Sequence, residues 1–144
     1  MRKACMAIWV LSLVALVAGC ASPTAAPERD SAAKSFIVQP GKANIYIYRD
    51  EQIGLLLNIP VALDGQYIGD TGAQTFLLRE VSPGRHTVDS KIGKEASVTI
   101  DAQAGRNYFI WQEVKFGPYT ILHEIDETKG RAAVATCKLV EFAR

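Results

Sequence analysis

The chain has few of the residues from which metal sites and catalytic centres are built. It contains two histidines and three cysteines in 144 residues, whereas a structural zinc site takes four ligands, mostly of these two types. His123 adjoins Glu124, but neighbouring residues of a strand point to opposite faces and do not cooperate on one metal. His86 follows a Pro-Gly pair, where we expect it to stabilise the turn. The sequence therefore predicts no metal site and no cofactor.

Motifs of known catalytic frameworks are also missing. No Gly-x-Ser-x-Gly elbow, phosphate-binding loop or dinucleotide-binding Gly-rich turn occurs. Aspartates are present, but Asp64, Asp70 and Asp101 neighbour glycines or turns, where an Asp side chain bonds its own backbone. We therefore expect no catalytic residues and no enzyme activity, with a hydrolase kept only as a remote alternative.

An excess of charge of one sign is absent as well. The formal net charge is +1, and without Arg2 and Lys3 the chain has fourteen basic and fifteen acidic residues. Proteins that bind nucleic acid or anionic lipid electrostatically carry a basic patch. The composition therefore predicts no nucleic-acid partner.

The one long apolar run is too short for an ordinary membrane span. It extends from about Ala7 to Ala18, whereas a transmembrane helix needs about 20 apolar residues. A basic start, Met1-Arg2-Lys3, precedes it, and this order is typical of an export signal. We predict that residues 1–19 are a cleaved signal peptide; a plain secretory signal with an incidental cysteine and a short uncleaved anchor are the alternatives.

The residues at the predicted cleavage point indicate a lipid anchor. Leu16-Val17-Ala18-Gly19-Cys20 resembles a bacterial lipobox, although Val17 stands where such motifs favour Leu. The resemblance implies that Cys20 becomes the first mature residue and carries fatty acyl chains of the palmitate type. Two or more chains hold a protein firmly on a bilayer. Ala21 follows instead of an Asp, which favours the outer membrane, with the protein facing the periplasm.

Residues 20–42 carry few large apolar side chains. Such a composition does not repay the entropy of ordering, so we predict a flexible tether that lets the folded part stand clear of the membrane. Ser35 to Gly41 is a candidate for an additional short strand before the domain proper.

Residues 43–144 have the pattern of one β-sandwich. Short segments rich in β-branched and aromatic residues alternate with turns, including a hairpin at Asp64-Gly65 and a turn at Ser82-Pro83-Gly84. About seven antiparallel strands must bury their apolar faces in a second layer. The last segment is rich in Ala, which favours a helix from about Gly130 to Phe142 over a final strand. Its Cys137 is predicted to be buried as a small hydrophobe; intermolecular pairing and a reactive thiol are the alternatives.

Several of these segments carry a family resemblance. They resemble the bacterial lipoproteins that contain domain of unknown function 2846 and, more distantly, the PEGA domains. The resemblance implies a PEGA-like β-sandwich on a lipid tether and implies no established substrate. The segments are IYIYR (45–49), VALDGQYIGD (61–70), TFLLREVSPGRHTV (75–88), AGRNYFIW (104–111) and ILHEIDETKGR (121–131).

Three residues are the candidates for a binding surface. Phe109 and Trp111 lie in an aromatic-rich segment; one interpretation has them cover a sheet edge or meet the terminal helix, while Tyr108, Phe116 and Tyr119 enter the core. The other places them in an exposed patch that binds glycan or protein. Arg49 closes the first strand, either as a structural ion pair or to recognise an anion.

Together these patterns predict a non-catalytic binding or scaffolding module of the envelope. The partner is an envelope protein or, alternatively, a glycan such as peptidoglycan. An exposed Trp111 beside polar groups would favour the glycan, whereas an apolar patch or an open strand edge would favour a protein partner.

Overall fold

Nine strands and two helices make up the residues that the computed structural model describes, 23–52, 57–116 and 119–141. The predicted signal peptide and Cys20 lie outside these ranges. Neither helix is long and apolar enough to cross a membrane. The elements in chain order are α1 (Pro27–Ala33), β1 (Ala43–Arg49), β2 (Ile59–Leu63), β3 (Gln66–Thr71), β4 (Thr75–Val81), β5 (Gly84–Ile92), β6 (Lys94–Ala102), β7 (Asn107–Lys115), β8 (Tyr119–Ile125), α2 (Glu127–Thr136) and β9 (Lys138–Leu139).

The strands form two layers, which confirms the predicted β-sandwich. Their hydrogen-bonded order is β3-β2-β5-β6-β8-β7-β1-β4-β9, but among the described residues β6 and β8 pair only at Lys94 and Tyr119. The four strands from β3 to β6 are therefore one layer, and the five from β8 to β9 are the other. The sandwich is not purely antiparallel, because β1 runs parallel to β7 and β4 runs parallel to β9.

The main core fills the space between the layers. It is made of aliphatic side chains from both layers, with Val98, Tyr108 and Leu122 packed partly buried against it. Burial of these apolar faces is what holds two sheets together. Its buried members include Ile45, Ile47, Val61, Ile68, Leu77, Val88, Ile100 and Ile110.

A second core lies on the outer face of the five-stranded layer, under α2. Tyr46 and Phe109 stack there with ring centroids 5.0 Å apart, and Gly130 of α2 sits on the Phe109 ring. A Cβ added to Gly130 would lie 2.2 Å from Phe109 Cγ, so the helix approaches this closely only because position 130 has no side chain. Strand β1 is consequently buried on both faces.

The predicted hairpin is present, and its turn has the expected backbone. Asp64 and Gly65 have φ angles of 51° and 77°, and β2 and β3 pair antiparallel on either side. Asp and Gly adopt positive φ more readily than other residues. The dipeptide therefore fixes the hairpin.

The C-terminal segment contains both the helix and the strand that were alternatives. Helix α2 begins at Glu127, where the Asp126 side chain accepts a hydrogen bond from Lys129 N at 3.1 Å. It ends before Cys137, earlier than predicted, because Cys137 is extended and Lys138 N donates to Gln74 O. This bond directs the chain into β9 beside β4. Cys137 is 1% exposed, as predicted.

The segment before β1 differs from the predicted flexible tether. Residues 27–33 form α1, and Ala33 is buried while its carbonyl accepts a hydrogen bond from Tyr46 Oη at 2.8 Å. Phe36 packs against Tyr46 and Phe109. The prediction of flexibility is therefore wrong for residues 27–36, because contacts with distant parts of the chain order them. Residues 35–41 form no strand.

Candidate functional site

The three predicted binding residues do not form a surface patch. Arg49 is completely buried, and its Nη1 donates to the carbonyl of Leu57 at 2.8 Å. Burial lowers the pKa of Arg49, an effect that nearby Glu51 opposes. The guanidinium is thus bound within the sandwich and is not presented to an anion in solution.

The aromatic residues follow neither predicted arrangement completely. Phe109 is buried under α2, and Trp111 stacks on His123 with ring centroids 5.2 Å apart. Tyr108 packs partly buried against the core, but Phe116 is 96% exposed and Tyr119 is 39% exposed. The expectation that Phe116 and Tyr119 are core residues is wrong. Phe116 follows the end of β7, and Tyr119 is the first residue of β8, where it pairs with Lys94 of β6.

Both histidines are engaged in structural contacts. His86 Nδ1 lies 2.7 Å from Asp64 Oδ2, and its Nε2 lies 2.7 Å from the Ser82 carbonyl oxygen. These two acceptors raise the pKa of His86, with the Asp64 bond as the main cause. The imidazole therefore ties the Asp64-Gly65 turn to the Ser82 turn, as predicted. His123 Nε2 lies 2.9 Å from Glu113 Oε2.

A cleft that is open to solvent lies between β6 and β8. It has a volume of about 670 Å³, within the usual range for ligand pockets. We call it the β6–β8 cleft. Its lining residues are Gly93, Lys94, Glu95, Ala96, Ser97, Tyr119, Thr120, Ile121 and Leu122.

The cleft exists because two strand edges separate. Strand β6 pairs with β5 along its whole length, and β8 pairs in the same way with β7. Beyond Lys94 and Tyr119, no described residue pairs with the facing edges of β6 and β8. Since peptide groups of a strand point alternately to its two edges, these edges present N–H and C=O groups without a strand neighbour.

The side chain of Tyr108 bridges β7 and β6 at the other end of the space between these strand edges. Tyr108 Oη donates to the Asp101 carbonyl at 3.2 Å and accepts from Gln103 N at 2.9 Å. It thereby connects β7 to the end of β6 and to the residue that follows that strand. The gap between the layers is thus bounded by a backbone pair at one end and by Tyr108 at the other.

The floor of the cleft leads into a buried polar network. Thr120 is buried, and its hydroxyl lies 3.0 Å from Ser90 Oγ. Gln112 donates to Ser90 Oγ at 2.6 Å and accepts from the Thr71 hydroxyl. Thr71 O lies 3.5 Å from Arg49 Nη1. Buried polar groups that satisfy one another hold a single arrangement, so the floor is fixed.

The rim of the cleft is amphipathic. Tyr119 and Ile121 are 39% and 36% exposed and follow the same face of β8. Lys94, Glu95 and Ser97 supply polar groups from the opposite strand. Sequence reasoning did not find this site, because the pairing of β6 with β8 joins segments that are not consecutive. The one available signal was the alternation in YTILHEI, which sets Tyr119 and Ile121 on one face of the strand and Thr120 on the other.

Fold and cleft together define a small two-layer β-sandwich domain. The two layers meet at the junction of β6 and β8, which we call the seam and which is incompletely paired. The chain belongs to the protein family of unknown function DUF2846, whose model matches residues 39–124. The matched region includes both sides of the β6–β8 cleft and ends before α2. It confirms the resemblance to domain of unknown function 2846.

One relative extends the similarity beyond the family region. An uncharacterized protein of Haemophilus influenzae (strain KW20 / Rd) is 29% identical over 132 residues, which cover 88% of this chain and 79% of the relative. No solved structure matches the chain.

Proposed function

We propose that this protein is a non-catalytic binding module of the bacterial envelope, anchored through acylated Cys20, that accepts an extended segment of a partner protein in the β6–β8 cleft. The observation that carries the proposal is the single pairing, Lys94 with Tyr119, between strands that are otherwise fully paired on their other sides. An open strand edge is a template for another strand.

Strand addition suits both the backbone and the side chains of the cleft. An added segment would bond to the free peptide groups of β6, β8 or both, and alternate side chains of the segment would meet the rim. Tyr119 and Ile121 offer apolar contacts to one side of such a segment. Main-chain bonds would then supply affinity, and the rim would supply selectivity.

The state of the nucleophilic side chains supports a role without catalysis. Burial raises the pKa of the Cys137 thiol to about 11, so the thiol is neutral at physiological pH and lies away from solvent. Both ring nitrogens of His86 already have acceptors. Neither group is available as a nucleophile or a general base without rearrangement of the fold.

A glycan ligand has less support than a peptide. The glycan alternative requires an accessible aromatic face, yet Phe109 is buried and Trp111 is stacked on His123. Tyr119 is the aromatic residue on the cleft rim and offers a partial face. Peptidoglycan is therefore the alternative ligand that a binding experiment must distinguish from a peptide.

The anchor and location form part of the same proposal. The lipobox-like Leu16 to Cys20 supports acylation of Cys20, and Ala21 supports the outer membrane with the domain facing the periplasm. Two or more acyl chains would provide stable attachment. The two-layer sandwich supports, at the level of architecture, the PEGA-like classification.

Selection from a display library of random twelve-residue peptides tests the binding role. The acylated protein in detergent micelles serves as bait, with an Ile121→Asp variant as counter-bait. Ile37→Asp is the matched control, because Ile37 is also exposed, at 70%, and does not line the cleft. We expect enriched peptides to bind the wild type and Ile37→Asp alike and to bind Ile121→Asp at least tenfold more weakly.

Two results would overturn the peptide-binding role. One is a failure to enrich any peptide, or enrichment of peptides that bind Ile121→Asp as tightly as wild type. The other is that the protein binds no peptide but sediments with purified peptidoglycan, and that Tyr119→Ser abolishes this sedimentation. That outcome would assign the cleft to glycan.

A further inference from the structure

The residues that follow Ser22 are built into the edge of the five-stranded layer. Ala25 N donates to the Leu139 carbonyl at 2.8 Å, and Glu141 N donates to the Pro23 carbonyl at 3.0 Å. Thr24 and Val140 form an antiparallel bridge between these bonds. Residues 23–25, which we call the N-terminal latch, thus continue the layer beyond β9.

Helix α1 binds the same C-terminal residues that pair with the latch. Asp30 Oδ1 accepts a hydrogen bond from Leu139 N at 2.7 Å, and Arg29 pairs with Glu141 at 2.6 Å. Asp30 also pairs with Lys34 at 2.7 Å. Burial raises the pKa of Asp30, but the bonds from Lys34 and Leu139 N outweigh it and hold that pKa below its usual value. The carboxylate therefore stays ionised and bonded at neutral pH.

The position of the latch leaves little chain for a tether. Between Cys20 and Pro23 stand only Ala21 and Ser22, and three residue steps span roughly 10 Å when fully extended. We propose that the latch edge of the domain lies directly against the headgroup region of the bilayer. This inference rests on the acylation of Cys20 in the proposed function, and it replaces the predicted long tether.

The same geometry places the β6–β8 cleft on the opposite side of the domain. From the latch across β9, β4, β1 and β7 to β8 there are five strand spacings, or about 24 Å at the usual 4.8 Å per strand. The latch is at one edge of the layer and the cleft is at the other. The membrane-bound protein therefore holds its cleft at a set height, open to the periplasm and away from the lipid.

Quenching by lipid measures this orientation. The acylated protein is placed on vesicles of phosphatidylethanolamine and phosphatidylglycerol, three to one, that carry a nitroxide quencher on the headgroup. A fluorophore is attached to Thr24→Cys in the latch or to Glu95→Cys in the cleft, both exposed positions. Cys137 is buried and its pKa is raised to about 11; a protein without an added cysteine checks that it stays unlabelled.

We expect strong quenching at position 24 and at least fivefold weaker quenching at position 95. A ten-residue Gly-Ser insertion between Ser22 and Pro23 leaves every described residue intact, and it should reduce quenching at position 24 to the level at position 95. Equal quenching at the two positions in wild type, or no effect of the insertion, would overturn the orientation.

Failure of the anchor itself gives a different result. Mass spectrometry of the N-terminal peptide and flotation with vesicles report acylation without reference to orientation. A protein without acyl mass on Cys20 would overturn both the anchor and this inference. An acylated protein that floats but shows equal quenching would overturn the orientation alone and leave the proposed function standing.

Discussion

Lys94 and Tyr119 form the one residue pair that joins β6 to β8 across the described parts of the chain. At the far end of this seam, Tyr108 Oη of β7 donates to the carbonyl of Asp101 in β6 at 3.2 Å. A seam held by one pair opens at lower cost than a fully paired one, because fewer backbone bonds are broken. This relationship makes the β6–β8 cleft the natural place for an added strand.

The contact between Gly130 and Phe109 predicts that Gly130→Ala destabilises the domain. Alanine favours a helix over glycine by about 1 kcal/mol, so propensity alone would stabilise α2. The new Cβ, however, would lie 2.2 Å from Phe109 Cγ, and overpacking of this kind costs about 1–3 kcal/mol. Urea unfolding should show a net loss of stability. Thr128→Ala, at an exposed position of the same helix, should change stability by less than about 0.5 kcal/mol.

The His86–Asp64 pair predicts a pH dependence of stability. The pKa of His86 is higher in the folded protein than its unfolded value of 6.5. The contribution of His86 to the free energy of unfolding is therefore complete below pH 6.5 and is lost as the pH rises through the pKa of the folded state. Burial opposes the ionisation of Asp64, but the bonds from His86 and Thr87 N lower its pKa, so its contribution is lost only in acid, below its usual value of 3.8. The free energy of unfolding should therefore decrease between pH 6 and pH 8.

A variant isolates this pair from the other titrating groups. In His86→Gln the decrease between pH 6 and pH 8 should be smaller, as measured by urea unfolding at each pH. An identical pH profile in wild type and variant would show that these contacts do not raise the pKa of His86.

The latch predicts a specific cost for the loss of Asp30. Asp30→Ala leaves Leu139 N without its acceptor, and an unsatisfied backbone donor of this kind costs about 1–3 kcal/mol. Glu28→Ala is the matched control, because Glu28 is exposed on the same helix. Hydrogen exchange should show faster exchange at residues 25 and 139–141 in Asp30→Ala only. Equal exchange in both variants would mean that the carboxylate does not hold the latch.

The polar network beneath the cleft predicts that Gln112→Met is destabilising despite its similar shape. The change removes one acceptor of the Thr71 hydroxyl, which also bonds the Ile59 carbonyl at 3.4 Å, and removes the donor to Ser90 Oγ, for a loss of about 1–3 kcal/mol. Gln66→Met, at an exposed position in the β2–β3 hairpin, should be nearly neutral in the same unfolding measurement. A neutral Gln112→Met would indicate that the network contributes no stability.

The sequence predicted those features that are set by local chemistry. The Asp64-Gly65 hairpin follows from the positive φ of its two residues, and the burial of Cys137 follows from its apolar neighbours. The alternation in β7 predicted which side chains share a face of the strand, but not which element packs on each face. Helix α2 packs on the outer face and places Phe109 in a core. Side-chain alternation carries no information on which layer a helix will cover.

The features that the sequence did not predict depend on contacts between distant residues. The bond between Asp30 and Leu139 joins positions 109 residues apart, so local composition could not reveal that residues 27–36 are ordered. The β6–β8 cleft arises from strands that are neighbours in space and not in sequence. Such pairings are set by the global burial of apolar faces, and local propensity does not encode them.

Amide hydrogen exchange of the acylated protein, with and without a saturating selected peptide, shows whether an extended segment pairs with the open edges of β6 and β8. We predict that alternate amides of residues 95–99 and 120–122 become at least tenfold more protected, while β2 and β3 are unchanged. Unchanged protection of both cleft strands with bound peptide, or protection confined to another surface, would contradict it.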